Sequence, residues 1–237
     1  MSHHFLQFNQ VSYSYPNGYE ALHSVSFRLG HGEKIALIGA NGAGKSTLLL
    51  HCNGLLLPSH GTISIGGIPV ERDTLPLIRQ SVGMIFQNAD DQLFMPTVEE
   101  DVAFGPLNMR LPHDEVERRV CNALAAVGAT ELRHRSPYRL SGGQKRSVAI
   151  ATVLAMQPNI LVMDEPSANL DPKARRQTID LIAGFSHSCL IASHDMNMLK
   201  EVCERTIMMH HGTIIADGAT SQIFSDTDLL QKADLYP

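Results

Sequence analysis

Apolar and polar positions change period several times along the chain, and each change marks an element. Val25, Phe27 and Leu29 alternate with Ser24, Ser26 and Arg28, a period of two that predicts strand in the first thirty residues. Lys34–Gly39 is a short apolar run and predicts a buried strand. A glycine-rich turn leads from it into a helix over about Gly44–Asn53, stopped by Gly54 at a position suited to a left-handed residue. Gly61–Ile65 and Val82–Phe86 again read as strands. Thr97 and Glu100 have the spacing of a capping box and open a helix. Val116, Val120, Leu124 and Val127 recur at helical spacing and end at Gly128, and a further helix is expected from about Gly142 to Met156. Ile160–Met163 and Cys189–Ala192 read as buried strands, with a helix between them that starts near Pro172. Arg205–Met209 and Thr213–Asp217 form a hairpin pattern around His211 and Gly212.

Strands alternating with helices predict an α/β fold with a mostly parallel sheet covered on both faces. Roughly residues 90–155 read as a helical insertion, so a single domain over 1–237 is expected. Its core would take in about 1–89 and 156–237, with an antiparallel β subdomain at the N-terminus, and the helical subdomain about 90–155. With 237 residues, 43% of them hydrophobic, the chain has material for a sizeable core. Its net charge of −5 lowers the case for a nucleic-acid partner. No apolar stretch reaches 18 residues, so no membrane span is expected, and Met1–Gln10 lacks the basic start and apolar run of a secretory leader. Four widely spaced cysteines (Cys52, Cys121, Cys189, Cys203) read as reduced thiols of a cytosolic protein. The twelve histidines include two adjacent pairs, His3–His4 and His210–His211. Adjacent side chains point to different faces of a helix or strand, so these pairs read as solvated rather than metal-binding.

The chemistry concentrates in four segments. Residues 39–46 match G-x-x-x-x-G-K-[ST] in full, between a predicted strand and a predicted helix. Backbone N–H groups along Gly39, Asn41, Gly42, Ala43 and Gly44 would cradle phosphate oxygens, aided by the positive end of the helix. Lys45 would reach the outer phosphates, Ser46 would ligate Mg²⁺, and Thr47 would add a hydroxyl to the α-phosphate. Ile160–Met163 delivers two consecutive carboxylates, Asp164 and Glu165, to the end of a strand, where α/β folds bind ligands. Asp164 fits the Mg²⁺ side, and Glu165 fits a base that polarises the attacking water.

Leu140-Ser-Gly-Gly-Gln-Lys-Arg146 precedes a predicted helix, and the order of segments is phosphate loop, this motif, acid pair, then Ser193-His194-Asp195. In that order the motif closely resembles the signature of the ABC ATPases. The resemblance covers about residues 4–226. It implies an ATP-hydrolysing subunit that works as a head-to-tail dimer, with ATP between the phosphate loop of one subunit and the signature of the other. Ser141, Gly142, Gly143 and Gln144 would then meet nucleotide across the interface, Ser141 and Gly143 at the γ-phosphate. Gln87 resembles the Q-loop glutamine that senses Mg²⁺ and water, and His194 the switch histidine. Ser167 to Asp171 resembles the D-loop, with Asn169 where glycine is commoner. Tyr15 resembles the aromatic that stacks on adenine, with Tyr13 as its competitor.

Within the family, the run Phe86–Phe94 followed by Thr97–Pro106 is similar to ATPases of energy-coupling-factor importers, which take up vitamins or transition-metal ions. Phe94, Met95, Leu107 and Met109 would suit docking of a transmembrane energy-coupling subunit, itself joined to a substrate-binding membrane subunit. The short chain resembles the cobalt or nickel branch, in which the ATPase pairs with a second copy of itself rather than a paralogue. That places the chain at the cytoplasmic face of the membrane. A vitamin importer or another ABC importer is the alternative. Chromosome-maintenance and translation relatives would need a long coiled coil or a second ATPase domain, and neither pattern is present.

Overall fold

The computed structural model describes residues 5–168 and 170–235; His3, His4 and Asn169 lie outside the described residues. In chain order the strands are β1 (Leu6–Ser14), β2 (Glu20–Leu29), β3 (Lys34–Ile38), β4 (His60–Ile65), β5 (Ile68–Pro69), β6 (Val82–Ile85), β7 (Ile160–Asp164), β8 (Ser188–Ala192), β9 (Arg205–His210) and β10 (Thr213–Ala219). The helices are α1 (Lys45–Cys52), α2 (Leu75–Ser81), α3 (Val98–Asn108), α4 (His113–Ala126), α5 (Gly142–Leu154), α6 (Pro172–Gly184), α7 (Met196–Val202), α8 (Thr220–Ile223) and α9 (Thr227–Lys232). They divide into two units. The first comprises residues 1–82, 159–164 and 186–237, and the second 83–158 and 165–185.

The first unit holds two sheets. One is antiparallel, in the order β2-β1-β4-β5. The alternation in β2 places Val25, Phe27 and Leu29 inside and Ser24, Ser26 and Arg28 toward solvent. Phe27 pairs directly with Phe8 of β1, and the rings stack with centroids 4.7 Å apart, a contact that contributes roughly 0.5–1.5 kcal/mol beyond its buried area. The other sheet contains β10-β9-β3-β8-β7. β3, β7, β8 and β9 run parallel, and β10 returns antiparallel to β9. Residues 35–38, 160–164 and 188–192 are buried throughout, the continuous apolar signature of central parallel strands. Helix α1 packs on β7 and β2 and buries Leu48, Leu49 and Cys52.

The turn between β9 and β10 corrects the reading of His210 and His211 as facing apart. His211 has φ 43° and is followed by Gly212 at φ 75°, so strand alternation stops there, and the two rings lie 4.0 Å apart. No group of three metal-ligating side chains occurs among the described residues.

The second unit is mainly α3, α4, α5 and α6. Thr97 caps α3 through the predicted box: its Oγ1 accepts the Glu100 N–H, and the Glu100 carboxylate accepts the Thr97 N–H. Helix α4 buries Val116, Val120 and Leu124, as its spacing requires, and ends ahead of Gly128 at φ 64°. On its outer face Glu115 accepts hydrogen bonds from Arg118 and Arg119, and these, Arg118 first, hold its carboxyl down at about 2. A depressed carboxylate favours the folded state above its unfolded value near 4.5, and that contribution is lost as pH falls toward 2. In urea titrations over this window Glu115→Gln should flatten part of the acid-dependent loss of stability. High salt should shrink the difference, because the group is open to solvent.

Candidate active site

Strand register brings three of the predicted segments to one edge of the first unit. Leu37 of β3 and Asp164 of β7 both pair with Ala192 of β8. The C-terminal ends of β3, β7 and β8 therefore emerge together, followed by the glycine loop, by Asp164 itself and by Ser193-His194. This is where ligands sit in open α/β sheets. Asp164 and Ser193 are buried, and the His194 side chain is exposed at the rim.

The loop is tightly built. Gly44 caps α1 at φ 100°, and a Cβ there would lie 2.7 Å from the Ala21 carbonyl oxygen, so both conformation and space demand glycine. Lys45 is 8% exposed, and its Nζ donates to the carbonyls of Gly39 at 2.6 Å and Ala40 at 3.0 Å. The ammonium thus lies inside the loop at the start of α1. Ser46 is exposed on the same first turn, and Thr47 is buried.

Thr47 is engaged from two sides. The Tyr15 hydroxyl is 3.0 Å from Thr47 Oγ1, and His51 Nδ1 is 2.7 Å from the Thr47 carbonyl oxygen. His51 is fully buried; desolvation lowers its pKa, partly offset by that hydrogen bond, so the neutral ring donates through Nδ1. Tyr13 presents edges to both neighbours, 5.0 Å from the Tyr15 ring and 4.8 Å from the His51 ring. Both tyrosines therefore meet the phosphate-loop helix, Tyr13 through its ring at His51 and Tyr15 through its hydroxyl at Thr47.

In the second unit the signature opens α5. The Ser141 hydroxyl accepts the Gln144 N–H at 3.3 Å, and Gln144 Oε1 accepts the Ser141 N–H at 3.0 Å, a second capping box. The Ser141 hydroxyl still has its own proton to donate. Gly142 and Gly143 follow with N–H groups unused by the helix ladder. Asp171 caps α6 by accepting the Lys173 and Ala174 N–H groups at 2.9 and 3.0 Å. Ser141, Gly143, Gln144, Ser147, Asp171 and Gln177 share one cleft of about 270 Å³.

Gln87 follows β6 with its side chain exposed. Glu165 stands at φ 50°, a left-handed conformation that costs a residue with a side chain roughly 1–2 kcal/mol. Its carbonyl accepts the Ala168 N–H at 3.2 Å and a guanidinium N–H of Arg146 at 2.9 Å. Arg146 closes the signature-like run in the sequence, but sequence reasoning gave it no role of its own. Its burial comes from partners about twenty and sixty residues away.

A family model described as ABC transporter matches residues 22–168. A protein of Geobacter sulfurreducens, provisionally named an ABC transporter ATP-binding protein, is 57% identical over 99% of this chain and 94% of its own length. The energy-coupling factor transporter ATP-binding protein EcfA of Methanothermobacter thermautotrophicus is 46% identical over 97% of this chain and 76% of its own. Among solved structures, cbiO1 of Clostridium perfringens, part of the ABC transporter complex cbiONQ, matches with a TM-score of 0.83 and 36% identity, over 98% of this chain and 95% of that one. A dimeric ATP-binding cassette in a post-hydrolysis state with ADP and Pi matches with a TM-score of 0.83 and 27% identity, over 91% and 98%. Fold and loop together define an ATPase of the P-loop class. Within it, the chain belongs to the ABC transporter family, as an ATP-binding subunit that uses ATP with Mg²⁺.

Proposed function

We propose that this chain is the ATP-hydrolysing motor of an energy-coupling-factor importer for cobalt or nickel ions, acting as a head-to-tail homodimer. The observation that carries the motor reading is the convergence of the glycine loop, Asp164 and His194 on one sheet edge. The likeness to EcfA and cbiO1 supports the importer class.

The residues suit their assigned tasks. Loop N–H groups and Lys45 hold the triphosphate, and Tyr15 offers its ring to adenine. Ser46 and Asp164 supply oxygen donors from neighbouring elements of the first unit, the donor chemistry a hard divalent ion takes. Bound there with ATP, Mg²⁺ neutralises charge on the phosphates. Glu165 accepts the proton of the attacking water, Gln87 helps orient that water, and His194 donates to the γ-phosphate. Ser141 and the Gly142–Gly143 amides meet the γ-phosphate of the other subunit, with Asp171 at the seam. ATP then favours the closed dimer through its greater affinity for that state, and hydrolysis releases it.

The surface for the membrane partner is proposed around Phe94. Phe94, Phe104 and Leu107 are exposed, and the two aromatic rings meet edge to face at 4.9 Å. Met95 and Met109 are partly exposed beside them in sequence. Asp101 pins this segment, its Oδ1 accepting the N–H groups of Phe94 at 3.1 Å and Met95 at 3.0 Å. No described helix is long and apolar enough to cross a membrane. An exposed apolar cluster of this kind suits contact with a membrane subunit at the cytoplasmic face. Phe94→Asp should abolish co-purification with the membrane subunits while the isolated chain keeps its ATPase activity. Retained co-purification would remove this surface from the account. For the cargo, transport of radioactive cobalt and nickel by the reconstituted complex is expected to depend on ATP. Uptake of a vitamin instead would transfer the chain to the other branch.

A further inference from the structure

The signature helix carries two consecutive cations, and both reach back to the segment around Gln87. Arg146 is 4% exposed. Its Nη1 donates to the Phe86 carbonyl at 2.5 Å, and its Nη2 donates to the Gln87 carbonyl at 2.6 Å and to the Glu165 carbonyl at 2.9 Å. Lys145 pairs with Asp90 at 2.5 Å. From the other side, Gln92 donates through Nε2 to the Ala149 carbonyl at 2.6 Å and to Thr152 Oγ1 at 2.7 Å. Residues 86–92 are thus fastened to α5 at four of the helix's residues, and one guanidinium is shared between that segment and Glu165.

We infer that Arg146 is a positioning residue for hydrolysis: it ties the backbone of Gln87 and of Glu165 to the signature helix. The inference rests on the assignment of Glu165 as the base. Burying a guanidinium is costly unless its donors are met, and planar Arg spans three carbonyls as a single ammonium does not. The carbonyl it holds at Glu165 belongs to a residue in the unfavourable left-handed region. Without that anchor Glu165 is free to relax toward negative φ, which swings its carboxylate away. Misplacement by about 1 Å costs on the order of 10²-fold in rate. A partner that displaces the 86–92 segment would, through the same guanidinium, move the base.

The test compares Arg146→Lys and Arg146→Ala with Glu165→Gln, each measured for ATP affinity and for single-turnover hydrolysis. The expected result is a fall in hydrolysis on the order of 10- to 100-fold for both Arg146 variants, with ATP affinity little changed. Millimolar guanidinium should restore part of the rate of Arg146→Ala. In the Glu165→Gln background, Arg146→Lys should cost little more, because the two act through one carboxylate. Wild-type turnover in Arg146→Lys would overturn the inference, as would losses that multiply in the double variant. If Arg146→Ala does not fold, the lysine variant and the cycle still decide. Near-normal hydrolysis by Glu165→Gln alone would instead bring down the base assignment and the inference with it. A dead Glu165→Gln beside a fully active Arg146→Lys would bring down the inference alone.

Discussion

Glu165→Gln is expected to lower ATP turnover on the order of 10²-fold or more while leaving Mg-ATP binding in place. The substitution keeps size and hydrogen-bonding shape but removes the carboxylate proposed to accept a proton from water. Glu165 follows the last residue of β7, and its carbonyl is held in a left-handed backbone by Arg146 and the Ala168 N–H, bonds that the glutamine variant would keep. Binding falls to other residues, those of the glycine loop and its helix. A fall in kcat with retained affinity is therefore the signature of the assigned role. Near-normal hydrolysis would move the base elsewhere.

Lys45→Ala should act on the opposite term. Its ammonium sits inside the loop on the carbonyls of Gly39 and Ala40, at the head of α1. Hydrogen bonds to charged groups contribute roughly 1.5–3 kcal/mol, so ATP affinity should fall on the order of 10- to 100-fold. The loop also loses the donor that draws its two carbonyls together, so a longer or shorter cation is not expected to restore binding fully. Isothermal titration with Mg-ATP reads this directly. Unchanged affinity in a folded variant would contradict the phosphate-loop role of Lys45.

Much of this was legible because local chemistry and burial agree. Lys34–Gly39, Ile160–Met163 and Cys189–Ala192 read as apolar runs between turn signals, and they fall on the buried parallel strands β3, β7 and β8. Thr97 with Glu100 and Val116 with Val120 and Leu124 announce α3 and α4 by cap and period, and both helices form there. Helices α2 and α7 were not read, nor were the shorter α8 and α9. α2 and α7 have only seven residues each, too few for a clear period, and Thr74 gives α2 no side-chain cap. The side-by-side histidines at 210 and 211 escaped because a positive φ replaces alternation at the turn. Phe104 lies in the run that resembles the importer ATPases but was not singled out for docking, and only the fold shows its ring against Phe94. Arg146 was least legible of all, since three carbonyls from two distant segments define it and none leaves a mark in neighbouring residues.

The central claim is that ATP closes two copies of this chain into one motor, and the mass of Glu165→Gln in solution tests it most directly. Light scattering with and without Mg-ATP should show a monomer becoming a dimer, because in the proposed motor nucleotide that is not consumed would keep the loop of one copy bridged to the signature of the other. A protein that binds ATP yet stays monomeric at every concentration would contradict the homodimeric motor.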